Sequence, residues 1–383
     1  MEHLSVHWHE NGRDRSARWA ASSRCAPPAD VVVAGDELRA DHALALSRRD
    51  RAVLWRGDYR GARQLLAAVK RRLDRRPAPA GRTPAETFRR HRRMTADRAH
   101  LLSRVLVELG PGHHLDLPHA PDVAAACLRA FGPAVDRALL PLTELLGVLG
   151  ADRWRTGGVR VPVLDGTIHP HHGVFAPTRQ DYLDLVARAP LGAAATAFDI
   201  GTGTGVLAAL LARRGVGRVV ATDLEPRAVE CARDNVDRLG LADRVRVERT
   251  DLFPVGRADL VVCNPPWLPG EPTSSLDAAV YDPGSRMLRG FLAGLPGHLA
   301  DGGEGWLVLS DLAERLGLRP SDEVAGLVAG AGLAVVDRLD TRPRHRTDRP
   351  RDPLAEHRAA EVVSLWRVRS ARRTLSPSRR TVR

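Results

Sequence analysis

Cysteine is scarce in this chain of 383 residues. The four cysteines, Cys25, Cys127, Cys231 and Cys263, form no pair with two residues between them. That spacing argues against a zinc cluster and against a disulfide framework, and it favours reduced thiols in a cytoplasmic protein. No run approaches the ~18 consecutive apolar residues of a membrane helix. The first residues also lack the basic start and apolar stretch of a signal peptide, so we expect neither a membrane span nor secretion.

A metal-binding pattern is also missing. His169, His171 and His172 lie close together, but they fall in a proline-rich turn without partner cysteines or a spaced acid. Structural and catalytic metal sites need three or four ligands at suitable spacing. We therefore expect no metal.

Lysine is almost absent, and the positive charge is carried by arginine. Lys70 is the only lysine, although the formal net charge is +12. Residues 48–104 contain 18 basic and five acidic side chains, and residues 367–383 contain seven arginines and no acid. Such surfaces are either solvated helix faces or contacts to an anionic partner such as RNA. In the second case Arg89, Arg90, Arg92 and Arg93 are candidates for phosphate contacts.

Periodicity divides the chain into five parts. We predict disorder over residues 1–40, a small helical N-terminal domain over 41–150, and a hairpin linker over 151–180. From residue 181 to 368, apolar strands alternate with helices, which is typical of a mostly parallel sheet covered on both faces. The basic tail, residues 369–383, is expected to be disordered. The fold class is therefore α/β, a Rossmann-like sheet preceded by a helical domain.

A glycine-rich turn joins the first strand of this region to its helix. Its glycines, Gly201, Gly203 and Gly205, follow Asp199, and Thr202 lies between them. Glycine permits a tight turn and a close approach to a ligand. The dinucleotide fingerprint requires a different third glycine position. The spacing instead resembles motif I of class I methyltransferases, which implies that Asp199 and residues 201–205 bind S-adenosyl-L-methionine.

Two acids follow in register after this turn. Asp223 ends the next strand, about 20 residues past the glycines, where an acid can accept hydrogen bonds from both ribose hydroxyls. Asp251 lies just past the third strand, with Leu252 beside it. The resemblance to class I methyltransferases implies that Asp251 and Leu252 belong to the cofactor site and that Asp251 holds the adenine amino group.

The most specific motif is Asn264-Pro265-Pro266-Trp267 at the end of the fourth strand. A planar nitrogen has a delocalised lone pair and is a poor nucleophile. The Asn264 side-chain oxygen and the Pro265 carbonyl are suited to accept its two N–H groups and orient it. Prolines stiffen the loop and donate no competing N–H, and Trp267 can stack on a flat target group. We therefore predict that Asn264, Pro265 and Trp267 carry the transfer, with Asn264 also bordering the cofactor.

This stretch resembles the HemK/PrmC family of protein-glutamine methyltransferases over roughly residues 170–340. The family's Asn-Pro-Pro-Tyr motif is matched with Trp267 in place of tyrosine, and Leu268-Pro269 and Asp282-Pro283 also follow. One departure is the segment 177–181, Pro-Thr-Arg-Gln-Asp, where those enzymes carry Pro-Arg-Pro-Glu-Thr. The preceding Gly173-Val174-Phe175 is more similar to RsmC-type ribosomal RNA enzymes.

The resemblance implies an S-adenosylmethionine-dependent N-methyltransferase. The leading hypothesis for its acceptor is a protein glutamine side chain. The alternative is a base of ribosomal or transfer RNA, which the basic N-terminal segment favours. A small-molecule amine and a degenerate cofactor-binding module are further alternatives. The intact glycines, Asp223, Asp251 and Asn264 argue against the last of these.

Overall fold

The computed structural model describes residues 4–21, 25–75, 79–343 and 352–371. Two mixed sheets of six and seven strands organise these residues, and a two-stranded sheet lies between them in the sequence. No helix among the described residues is long and apolar enough to cross a membrane.

The N-terminal part is built on the six-stranded sheet. Its strand order is β1-β2-β6-β5-β4-β3, in which the central strands β6 and β5 pair antiparallel and β5 and β4 pair parallel. Five helices pack around it. The strands are β1 Ser5–Glu10, β2 Arg13–Trp19, β3 Asp30–Ala34, β4 Arg51–Trp55, β5 Val105–Leu109 and β6 Ala138–Pro141; the helices are α1 Ala40–Ser47, α2 Tyr59–Asp74, α3 Pro84–Leu102, α4 Ala124–Phe131 and α5 Leu142–Gly157.

This sheet contradicts two sequence predictions. The prediction of disorder over residues 1–40 is wrong for Ser5–Glu10, Arg13–Trp19 and Asp30–Ala34, which form three strands of the sheet. The domain over residues 41–150 is not purely helical either, since it supplies the other three strands. Helix α3 ends at Leu102, and the apolar run that follows it is the buried strand β5. A short apolar run fits a buried strand and a buried helix equally well, and only pairing with β4 and β6 distinguishes them.

Helix α3 shows how local sequence defines an element. Thr83 is its N-cap and accepts a hydrogen bond from the Glu86 backbone N–H at 3.2 Å, and Pro84 follows at the first helical position. The Glu86 carboxylate accepts from the Arg82 backbone N–H at 2.7 Å. The first contact satisfies an amide group that the first helical turn leaves unpaired, and the second ties the residue before the N-cap to the helix.

Two short strands, β7 Val159–Val161 and β8 Gly166–Ile168, pair antiparallel within the segment predicted as a hairpin linker. The second strand ends at Ile168, before the end of the predicted linker. The domain limits themselves stay predictions.

The C-terminal sheet has the strand order β11-β10-β9-β12-β13-β15-β14, and strands β9 to β13 run parallel to one another. The predicted α/β class with a Rossmann-like sheet is confirmed. The strands are β9 Thr196–Ile200, β10 Arg218–Asp223, β11 Val245–Arg249, β12 Ala258–Cys263, β13 Leu299–Ser310, β14 Leu333–Thr341 and β15 Val363–Ser370; the helices are α6 Asp181–Arg188, α7 Val206–Arg213, α8 Pro226–Arg238, α9 Ser275–Ala278, α10 Arg286–His298, α11 Leu312–Arg315, α12 Glu323–Gly330 and α13 Ala355–Ala359.

Helices cover both faces of this sheet. One apolar cluster joins the sheet to α6, α7 and α8, and a second joins it to α10 and α12. Because side chains alternate across each strand, Val219 and Val220 enter different clusters. Strand β15 reaches Ser370, so the first residues of the predicted disordered tail are strand, whereas residues 372–383 lie outside the described residues.

Candidate active site at the carboxyl ends of the parallel strands

The glycine-rich turn follows β9 and is attached to the neighbouring strand. The backbone N–H groups of Gly201 and Thr202 both donate to the Thr222 carbonyl at 2.9 Å. Gly203 has φ +56° with open space on its Cβ side, and Gly205 has φ +80° and packs against Ala232. Only glycine adopts these backbone angles at little cost. The turn is therefore fixed against β10 while one of its glycines faces open space.

Asp199, near the end of β9, holds this turn through hydrogen bonds. Its side chain is completely buried, and one carboxylate oxygen accepts from Thr202 Oγ1 at 2.6 Å and from the Ala208 N–H at 3.0 Å. The other oxygen has no hydrogen-bond partner among the described residues. Burial raises the pKa of Asp199 to about 7. The carboxylate therefore holds the turn and the start of α7, and contact between Asp199 and the cofactor stays a prediction.

Asp223 lies directly beside the turn. One of its oxygens accepts from the Gly203 N–H at 2.9 Å and the other accepts from the Glu225 N–H at 3.0 Å. Burial raises the pKa of this carboxyl. A carboxylate has about four acceptor positions, so two remain for hydroxyl donors. The turn and the acid that the sequence separates by 20 residues are thus hydrogen-bonded neighbours, an arrangement that fits a ribose bound between them.

The segment after β11 packs against α10. Thr222 Oγ1 donates to the Leu252 carbonyl at 2.5 Å, and Leu252 has φ +61°. A β-carbon at Gly290 would overlap the Leu252 side chain, so glycine there lets the segment approach the helix. The Asp251 carboxylate is exposed beside this fixed backbone. Asp251 and Leu252 follow β11, which pairs with the strand that ends at Asp223, and their role at the adenine stays a prediction.

Asn264, Pro265 and Trp267 follow β12. The Trp267 indole N–H donates to the Asn264 side-chain oxygen at 2.8 Å. The Arg179 guanidinium lies 5.0 Å from the centre of the indole ring, and Arg319 donates to the Trp267 carbonyl at 3.4 Å. Pro265 is buried next to Asn264. The indole is therefore held on several sides, and stacking of a target group on it stays a prediction.

These elements meet because of the strand order. Strands β11, β10, β9 and β12 are consecutive neighbours, so the segments that follow them lie in one row at the carboxyl edge of the sheet. The sequence analysis missed Arg179, Arg319 and Met287. A β-carbon at Gly201 would collide with the end of the Met287 side chain, which places that residue against the glycine-rich turn. Arg179 lies in the segment that departs from the HemK/PrmC pattern, which was the available signal for it.

The three histidines take other roles. His171 Nε2 is 2.8 Å from an Asp234 carboxylate oxygen, and His169 Nδ1 is 2.7 Å from the Arg155 carbonyl. Burial lowers the pKa of His171. Within the described ranges, no group of three or more histidine, cysteine or acidic side chains could hold a metal ion.

The basic N-terminal segment is only partly available to a partner. Arg89, Arg90 and Arg93 are exposed, and Arg90 pairs with Glu86 on the same helix, whereas Arg92 is half-buried and pairs with Asp277. That these four arginines contact phosphates stays a prediction. A separate cavity of about 390 Å³ lies between α2 and α5 and is lined by three exposed arginines: Arg60, Arg63 and Arg153.

Comparison with known proteins adds independent information. Residues 165–318 match the family described as Methyltransferase small domain. The chain is 32% identical over 250 residues to a release factor glutamine methyltransferase of Cereibacter sphaeroides, covering 60% of this chain and 81% of that protein. It is 38% identical over 149 residues to a ribosomal protein L11 methyltransferase of Pelotomaculum thermopropionicum, covering 37% and 39% respectively. It is 32% identical over 107 residues to a tRNA1(Val) (adenine(37)-N6)-methyltransferase of Shewanella loihica, covering 26% and 44%.

Proposed function

Because this chain belongs to the HemK/PrmC family of S-adenosylmethionine-dependent methyltransferases, we propose that it methylates the side-chain amide nitrogen of a protein glutamine. The observation that carries the proposal is the position of Asn264. It follows β12, the strand next to β9, and so adjoins the glycine-rich turn that β9 carries. The length of the match to the release factor glutamine methyltransferase supports the choice of acceptor.

The cofactor is assigned to the row of segments after β9, β10 and β11. S-adenosyl-L-methionine supplies an activated methyl group when bound. Residues 201–205 border its methionine part, Asp223 accepts the ribose hydroxyls, and Asp251 with Leu252 borders the adenine. Asp199 contributes by fixing the turn, since its carboxylate is buried beneath Thr202. The free acceptor positions of Asp223 and the open side of Gly203 support this assignment.

Asn264 orients the acceptor nitrogen. Its side-chain oxygen has two lone pairs, of which the Trp267 indole N–H uses one. The second lone pair accepts an N–H of the substrate amide, and the Pro265 carbonyl accepts the other. Trp267 thereby fixes the rotation of the Asn264 amide, because the indole can only bond its oxygen end. Positioning of this kind accounts for much of the rate of a reaction with a good leaving group.

A second candidate is methylation of an RNA base. The cavity between α2 and α5 favours it, because the exposed residues Arg60, Arg63 and Arg153 line it. Arginines around a concave surface suit phosphate groups. The partial match to a tRNA adenine methyltransferase is consistent with this alternative.

The two candidates are separated by offering both acceptors to the full-length protein. Purified protein with methyl-labelled cofactor is incubated with a recombinant release factor and, separately, with transfer and ribosomal RNA. We expect label in a glutamine of the release factor, located by peptide mass spectrometry, and its loss with Asn264→Ala. Label in RNA and none in protein would replace the glutamine proposal with the RNA alternative.

A further inference from the structure

Helix α3 of the N-terminal part packs on the loop that follows Trp267. Phe88, only 4% exposed, belongs to an apolar cluster with Leu268, Leu312 and Leu316. Its ring centre is 6.3 Å from that of Tyr281. All of Phe88's partners in this contact come from the methyltransferase region. The helix is therefore docked beside the candidate acceptor site by buried apolar surface.

Arg92, one turn further along α3, makes three polar contacts with the same loop. Its guanidinium carbon lies 3.7 Å from the centre of the Tyr281 ring. One of its terminal nitrogens donates to the Glu271 carbonyl at 2.9 Å and to an Asp277 carboxylate oxygen at 3.1 Å. Although burial opposes it, hydrogen bonds from Thr273 and Arg92 hold the pKa of Asp277 below its usual value. Asp277 is thus an ionised partner for Arg92 at neutral pH.

The loop that Arg92 holds, residues 268–282, connects the segment that contains Trp267 to the start of α10. At its base, Leu268 N–H donates to the Val280 carbonyl at 3.1 Å, and Asp282 N–H donates to the Leu268 carbonyl at 2.9 Å. Leu268 directly follows Trp267. Asp282 also binds the start of α10, because one of its carboxylate oxygens accepts from the Met287 N–H at 2.8 Å. A shift of the loop therefore moves both the residue next to Trp267 and the start of α10.

We propose that Arg92 is a positioning residue for methyl transfer. By holding residues 268–282, it keeps the Asn264–Trp267 pair and Met287 in the arrangement that receives the acceptor beside the glycine-rich turn. The acceptor site is thus complete only when α3 is docked, which makes the N-terminal part necessary for turnover. The inference rests on the proposed function in placing the acceptor beside Asn264.

Arg93 provides a matched control on the same helix. It is exposed, and its side chain makes no ion pair or hydrogen bond within the described ranges. Arg92→Gln removes the charge and the planar stack, whereas Arg92→Lys keeps a charge for Asp277. Asp277→Asn breaks the same contact from the loop side. Arg93→Gln changes the charge of the helix equally without touching the loop.

The first test is hydrogen exchange of the full-length protein, which requires no acceptor. In Arg92→Gln and Asp277→Asn we expect the amides of residues 268–282 to exchange roughly tenfold faster, the scale for losing a partly buried charged hydrogen bond and a cation–π contact. Arg93→Gln should match wild type. Calorimetry with S-adenosylhomocysteine should give affinities within about twofold of wild type for all variants, because the turn and Asp223 are untouched.

The second test is turnover with the acceptor that wild type labels. We expect kcat to fall at least about tenfold in Arg92→Gln, with partial recovery in Arg92→Lys and no change in Arg93→Gln. The double variant Arg92→Gln/Asp277→Asn should lose less than the sum of the two single variants, since both substitutions remove the shared contact between Arg92 and Asp277.

Three results would overturn the proposal. Unchanged exchange of residues 268–282 would mean that Arg92 does not hold the loop. Faster exchange of residues 268–282 in Arg92→Gln with a wild-type kcat would mean that Arg92 stabilises the loop but does not position groups for methyl transfer. A loss of cofactor affinity in Arg92→Gln as large as its loss of kcat would mean that Arg92 acts on cofactor binding. If wild type labels no acceptor, the proposed function fails, while the exchange experiment still decides whether Arg92 holds the loop.

Discussion

Removal of the Asp223 carboxylate tests the cofactor site most directly. In the proposed complex, Asp223 accepts hydrogen bonds from two ribose hydroxyls in addition to the Gly203 and Glu225 N–H groups. Each hydrogen bond to a charged group contributes about 1.5–3 kcal/mol, and such contributions are not fully additive. We expect Asp223→Ala to weaken cofactor binding by roughly 2–4 kcal/mol, which corresponds to a roughly 30- to 700-fold higher Kd.

The structure adds a second consequence to this variant. Alanine leaves the Gly203 and Glu225 N–H groups without their acceptor, so the turn can loosen even before cofactor binds. Asp223→Asn separates the two effects, because its amide oxygen still accepts one N–H but carries no charge. We expect Asp223→Asn to recover thermal stability yet to bind cofactor at least about tenfold more weakly than wild type.

The assay is isothermal titration calorimetry with S-adenosylmethionine and with S-adenosylhomocysteine, alongside thermal unfolding of each variant. Asp243→Ala is the control, since Asp243 is an exposed acid that precedes β11 at the opposite end of the sheet. Wild-type affinity in a folded Asp223→Ala protein would refute the ribose assignment. Affinity that follows thermal stability across all variants would mean that Asp223 only supports the turn.

Three further predictions concern the acceptor, the turn and the basic cavity. Asn264→Ala should lower turnover at least about 100-fold with near wild-type cofactor affinity; a loss of affinity with intact turnover would assign Asn264 to the cofactor instead. Burial raises the pKa of Asp199 from 3.8 to about 7. Between these two pH values the folded protein keeps a proton on Asp199 that the unfolded chain has lost. The free energy of unfolding should therefore fall as pH rises from 3.8 to about 7. Urea unfolding over this pH range should show that part of the slope in wild type and not in Asp199→Asn, and equal slopes would contradict the assignment. If RNA binds the cavity between α2 and α5, replacing Arg60, Arg63 and Arg153 together by alanine should make the slope of log affinity against log salt concentration shallower, by about 0.7–0.9 for each phosphate that a removed arginine had neutralised. The control variant Arg89→Ala/Arg93→Ala should keep the wild-type slope. Equal slopes in the triple variant and wild type would place any RNA binding elsewhere.

The amino-acid sequence alone determined the class of the C-terminal sheet and the candidate residues at its edge. Asp199, Asp223, Asp251 and Asn264 could be identified because each lies near the end of an apolar strand run or just after it, at a spacing that parallel sheets repeat. That signal is local, so it requires no knowledge of distant contacts. The resemblance to HemK/PrmC enzymes rests on the same short segments.

Only the tertiary structure revealed the N-terminal sheet and the engagement of α3. Strands β1 and β5 are five or six residues long, and such runs become strands only through pairing with segments far away in the sequence. The neighbours of Arg92 on the helix could not show that its side chain is already paired, because its partner Asp277 lies 185 residues later in the chain. The sequence therefore determined which residues are candidates for the site, whereas long-range packing decided which arginines are exposed and which, like Arg92, contact a distant segment.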